Sequence, residues 1–248
     1  MKIIIFFALF FNLLFLINSQ KVEKRSESNN NRRFCGVDSL NYEIKISSVI
    51  SQKHKLNPSR KLSTIFTPIG IILDTSYFEK QSELLPAIKD KVPMLKEAMN
   101  NAINALKDIL EVENYGNDIF GDLTETFFEY YRINYRDSTL YDSPEIPADL
   151  IIIAKIEEEG EFPQGVLASA MPILLYRLTN RPIVGLLTVS RSESFYSSSH
   201  IQEYFSVVFL HELTHALGFL ESMYPYFPQG IDNILMQKEI RGKTRMKN

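Results

Sequence analysis

His211, Glu212 and His215 are the residues whose types and spacing could do chemistry. Each residue of a helix advances by roughly 100°, so positions four apart lie about 40° apart around the axis. Imidazoles at 211 and 215 then face the same way and can share one metal ion. Glu212 falls at the edge of that site, where its carboxylate can hold a water and accept its proton without ligating the metal. The H-E-x-x-H pattern thus proposes a zinc ion, a general base and a hydrolytic reaction. A helix can also carry histidines that are merely solvated or hydrogen-bonded, and the pattern alone does not separate the two readings.

The surroundings favour the metal. Tyr204-Phe205-Ser206-Val207-Val208-Phe209-Leu210 runs straight into the motif and predicts a buried helix over about Ile201–Leu217. Two histidines and a glutamate on such a helix need partners, because an unsatisfied buried polar group is costly. Gly218 stands where the helix would stop, in a turn that needs positive φ.

Other elements must carry this helix. Pro68–Asp74 reads as a strand. Pro93 opens a helix whose Leu95, Ala98, Met99, Ala102, Leu106, Ile109 and Leu110 recur at three- and four-residue spacing as a core stripe. Asn114–Tyr141 is aromatic and polar with weak periodicity. Leu150–Ile156 is apolar enough to be central in a sheet. Ile173–Leu178 and Ile183–Val189 are further strands, joined by a turn at Thr179–Pro182. Ser190–Ser199 is a loop leading into the motif helix. Gln81–Glu83, Glu157–Glu161 and the charges of the C-terminal tail read as solvated surface. Together these predict an α+β fold, a twisted mixed sheet with a long backing helix and a separate helix bearing the motif.

The chain of 248 residues is 45% hydrophobic with a net charge of −3, enough for one substantial core and without the basic balance of a nucleic-acid binder. Met1-Lys2, the apolar run Ile3–Ile17 and Ser19 read as a secretory signal peptide over 1–19, and the run is short for a retained membrane anchor. Residues 20–61 read as a short pro-region, polar at its start, and 62–248 as the main domain. Cys35 stands alone in a chain read as secreted, so it makes no intramolecular disulfide.

Phe209-Leu210-His211-Glu212-Leu213-Thr214-His215-Ala216-Leu217-Gly218-Phe219 resembles leishmanolysin, a metzincin-type zinc endopeptidase family. Arg181-Pro182-Ile183-Val184-Gly185 is similar to that family's R-P-[IV]-x-G strand. Pro68–Ser76 and Ala148–Ile152 are similar to two further strands, Leu220–Phe227 to the segment after the motif helix, and Glu239–Thr244 to part of the following insertion. The resemblance covers most of residues 65–248 in order, with only the motif helix specific by itself. It implies a secreted or cell-surface metalloendopeptidase with a metzincin-like catalytic subdomain. Zn2+ would be held by His211 and His215, Glu212 would be the base, and proteins or peptides the substrates. It also implies that strand Ile183–Val189 offers an exposed edge to an extended substrate. Association with a membrane or cell surface and the oligomeric state stay open.

The departures matter as much. The metzincin pattern would place a third histidine at position 221, where this chain has Glu221, and no histidine follows His215 in the remaining 33 residues. His54 and His200 both lie upstream. The catalytic domain therefore reads as incomplete at its C-terminus, without third histidine and methionine turn. Glu221 or Glu239 could substitute as a ligand or be a surface acid. Cys35-Gly36-Val37-Asp38 has the C-x-x-D spacing of a cysteine switch, in which a pro-region thiolate silences the zinc, but lacks the family's histidine at 37; the other reading is an incidental thiol. The competing functions are an impaired adhesion or binding module that keeps the fold, and a truncated product.

Overall fold

The computed structural model describes residues 66–113, 120, 123–143, 146–163, 165–176, 179–192, 196, 201–220 and 223, and the backbone of 235–240 and 243–246. Cys35, His54, His200 and Glu221 lie outside the described residues, as do the proposed signal and pro-regions, and of Glu239 only the backbone is described.

The elements are β1 (Phe66–Pro68), β2 (Ile71–Asp74), α1 (Ser76–Ser82), α2 (Pro86–Lys89), α3 (Val92–Lys107), β3 (Glu111–Glu113), α4 (Glu125–Tyr130), β4 (Leu150–Ile156), β5 (Ala168–Tyr176), β6 (Arg181–Val189) and α5 (Ile201–Ala216). A hairpin of β7 (Leu235–Ile240) and β8 (Lys243–Met246) follows. The main sheet has the order β2-β4-β6-β5, with β2, β4 and β6 parallel and β5 antiparallel to β6. The fold is α+β, a twisted mixed sheet with helices.

Every residue of β4 is buried, and its alternate side chains feed two cores. Leu150, Ile152, Ala154 and Ile156 join the apolar stripes of α3 and α5 on one face. Ile151 and Ile153 join Phe127, Phe128, Ile183, Val184 and Leu186 on the other. A strand covered on both faces has no polar alternation to show, hence a run that is apolar but for Lys155. The aromatic stretch after position 120 builds the second core. Phe128 packs against Tyr135 and Tyr141 at ring separations of 5.0 and 4.7 Å.

Several expectations need correction. The stretch 68–74 is two strands. β1 pairs with β3, then Gly70 hands the chain to β4 by accepting from the Asp149 and Leu150 amides and donating to the Asp149 carboxylate at 2.8 Å. The same carboxylate reaches Arg181 at 3.4 Å, so one acid ties together the N-terminal ends of the three parallel strands. The α3 stripe buries Leu95, Ala98, Met99, Ala102 and Leu106 as expected, and Ile103 as well. Ile109 and Leu110 follow the end of the helix, and Ile109 is exposed. The strand expected at 173–178 begins five residues earlier, at Ala168.

Two stretches read as solvated surface are partly structural. The Gln81 side chain donates to the Ile156 carbonyl at 3.3 Å and accepts from the Ile156 amide at 2.8 Å, continuing the pairing of β4 beyond the end of β2. Lys155 is 5% exposed, and its ammonium is held by both oxygens of Glu161 at 3.0 and 3.1 Å. Glu161 also accepts from the Glu158 amide at 2.8 Å, so the acid closes the loop after β4 onto the strand it left.

Candidate functional site

Helix α5 lies on the sheet through Phe205, Val208, Phe209, Leu213 and Ala216, which share one buried face, while Tyr204 and Val207 are exposed, so the helix expected to be buried is buried on one face only. Tyr196 stacks on Phe205 at 5.7 Å and Phe205 meets Phe209 at 5.4 Å, which fixes the helix lengthwise. Near the end of α5 the contact is closer still. A Cβ on Gly185 of β6 would stand 2.8 Å from the Ala216 Cβ and 2.9 Å from the Ile152 Cδ1. Glycine is therefore the residue that lets the turn carrying His215 sit down on the sheet. Gly185→Ala is expected to cost about 1–3 kcal/mol by overpacking, read as a lowered melting temperature with secondary structure unchanged.

The structure brings His211, Glu212 and His215 together as expected. The two imidazoles meet edge to face with ring centroids 4.8 Å apart, and their Nε2 atoms are 3.2 Å apart. Two nitrogens at the usual bond length from one tetrahedral zinc are separated by about 3.3 Å. The pair thus fits a shared ion.

The turn after the helix sets the chemistry of His215. Gly218 has φ 94°; its amide donates to the His215 carbonyl at 2.9 Å, and the Phe219 amide donates to the Thr214 carbonyl at 3.1 Å. This is the Schellman arrangement, in which a left-handed glycine closes the last helical turn. It brings the Phe219 carbonyl to 3.0 Å from His215 Nδ1. A carbonyl can only accept, so Nδ1 carries a proton, and in the neutral ring Nε2 then presents its lone pair towards His211. Buried Thr214 satisfies its hydroxyl within the helix by donating to the His211 carbonyl at 2.6 Å.

Glu212 is wholly buried, and its Oε2 accepts from the Ala170 amide of β5 at 3.1 Å. Here the structure corrects the expected substrate edge. β6, the strand of Ile183–Val189, lies between β4 and β5, so the edge beside the motif is β5. Leu167 accepts from Ser190 in the pair just before β5, so Ser169 and Met171 bond to β6 while Ala168, Ala170 and Pro172 direct their backbone groups away from the sheet. Proline is tolerated there because no ladder bond is lost.

The loop entering α5 is tied to the sheet by Ser190. Its amide donates to the Leu167 carbonyl, its carbonyl accepts from the Tyr196 hydroxyl, and its own hydroxyl donates to Glu157 at 3.4 Å. Burial pushes the Tyr196 hydroxyl up. Burial also raises the half-buried Glu157 carboxyl above its ordinary 4.5; hydrogen bonds from the Arg191 backbone and Ser190 oppose the rise, and Glu161 adds to it. A folded-state value above the unfolded one means that the folded protein holds this proton longer, so stability falls as pH rises from about 4.5 through the raised value. Glu157→Gln is expected to remove that fall, giving a higher melting temperature at neutral pH and no gain at pH 4.

Among the described residues no set of three or more histidine, cysteine, aspartate or glutamate side chains comes together as a metal site; His211 and His215 stand as a pair. Sequence reasoning missed the Ala170 amide and the Phe219 carbonyl, which are backbone groups without a residue signature. It quoted Gly185 only as part of a pattern, without its packing role. Comparisons with protein-family models, with curated proteins and with solved structures returned no match to this chain.

Proposed function

We propose that this chain is a zinc-dependent metalloendopeptidase of metzincin, leishmanolysin-like type, hydrolysing peptide bonds in proteins. The observation that carries the reading is the pair of imidazole nitrogens 3.2 Å apart on a helix that also bears the wholly buried Glu212. His211 and His215 would hold the ion through Nε2, with His215 already in the required tautomer. Zinc in such a site supplies Lewis-acid polarisation of the scissile carbonyl and makes water a better nucleophile at neutral pH. Glu212 takes the proton of the attacking water and passes it to the leaving amine. The β5 edge, next to Glu212, is the place where an extended peptide can lie. The apolar run Ile3–Ile17 supports a secretory route and extracellular protein substrates.

The test is zinc content and cleavage of a quenched fluorescent peptide set by the purified chain. One zinc per chain, lost in His211→Ala and His215→Ala together with cleavage, is the expected result. Cleavage that survives both substitutions and a chelator would remove the assignment. Zinc retained without cleavage would favour the adhesion or binding module that keeps the fold.

A further inference from the structure

The hydrogen bond between the Ala170 amide and Glu212 has a geometric consequence for any strand that adds to β5. Ala168, Ala170 and Pro172 are the positions whose backbone groups point outward beside the motif helix. Pro172 has no N–H to offer, and the Ala170 N–H is engaged by Glu212 at 3.1 Å. A peptide pairing in register with Ala170 needs that donor for its own carbonyl. It must therefore take the donor from the carboxylate.

We propose that the Ala170 amide is a shared donor: it holds Glu212 in the ligand-free protein and passes to a carbonyl of an extended peptide, so that docking along β5 and release of the general base are one event. The proposal rests on the metallopeptidase reading and deepens it. It makes the enzyme selective for unfolded or extended segments that reach Ala170, and it leaves Glu212 restrained towards short substrates that do not. Nothing covalent is exchanged in this step; one N–H changes acceptor.

The probe is uncharged dansyl-Ala-Val-Ala-Val-amide, titrated by fluorescence anisotropy against the chelator-treated chain. Glu212→Ala removes the competitor for the amide and is expected to bind the peptide about tenfold more tightly than the unmodified chain, the worth of roughly one hydrogen bond to a charged group. Dansyl-Ala-amide, too short to pair, should show no such gain. Adding Ala170→Pro to Glu212→Ala removes the donor itself and should abolish the gain, with the fold retained because proline already occupies the equivalent outward position two residues on. Hydrogen exchange gives an independent reading: the Ala170 amide should exchange at least about tenfold faster in Glu212→Ala and slow again when the peptide is added. Equal, weaker or unmeasurable peptide binding by Glu212→Ala, or unchanged exchange at Ala170, overturns the proposal. Failure of the metallopeptidase reading would appear elsewhere, as absent zinc uptake and absent cleavage, with the binding and exchange measurements still legible.

Discussion

Glu212→Gln is expected to lower kcat for peptide hydrolysis by about 10²–10⁴-fold, with zinc content unchanged and KM moved little. Glutamine keeps an oxygen that can accept from the Ala170 amide, so the link from α5 to β5 survives while the proton acceptor is lost. The two imidazoles are untouched, because their orientation comes from the helix and from the Phe219 carbonyl. His211→Ala should differ in kind: zinc and activity disappear together. A Glu212→Gln protein that still cleaves within a few fold of the unmodified chain would remove this residue from the role of base.

The largest effect on stability is expected at Glu161, which lies outside the motif. Lys155 is buried in the sheet, and Glu161 supplies both oxygens that hold its ammonium. Glu161→Ala leaves that charge with no counter-ion in a dry setting, which costs about 3–5 kcal/mol; the one-fifth exposure of the acid puts the effect at the lower end. Lys155→Met with Glu161→Leu removes both charges, and should recover most of the loss, since the attraction of a buried pair is largely offset by desolvation. Urea unfolding of the three proteins separates the cases. A single mutant as stable as the unmodified chain would mean that solvent reaches Lys155 when its partner goes.

The elements that position the motif were legible where one physical rule governs a long stretch. Leu150–Ile156 and the α5 run up to Ala216 are predominantly apolar sequences, and both formed the expected elements within a residue. Gly218 was readable because a helix end of this kind requires a left-handed residue. Legibility ended where a backbone group or a single long-range contact decides. Nothing in Ile183–Val189 says that it is interior; that follows from β5 pairing on its far side, which depends on the connection between them and the packing of α5. Ile109 continued the helical spacing but fell outside the helix, which closes at Lys107 and sends the chain into β3. Gln81 and Glu161 carried the composition of a wet surface, and only the fold ties them to β4. The proposed hydrolytic chemistry would rest on three side chains that the sequence names; the orientation of those side chains rests on carbonyl and amide groups that it does not.

The side-chain amide of Gln81 has a bearing on whether another strand can add to β4. β2 is four residues long and β4 is seven, so the last residues of β4 would otherwise present an unpaired, apolar flank to other chains. At Ile156 one glutamine occupies both the donor and the acceptor that an intruding strand would need. Because α1 delivers that glutamine from 75 positions away in sequence, the flank is sealed only in the finished fold. Before that moment Leu150–Ile156, with Lys155 its one charge, is a Pro-free, largely apolar segment of the kind that seeds cross-strand assembly. Aggregation during refolding should thus be governed by how early α1 docks.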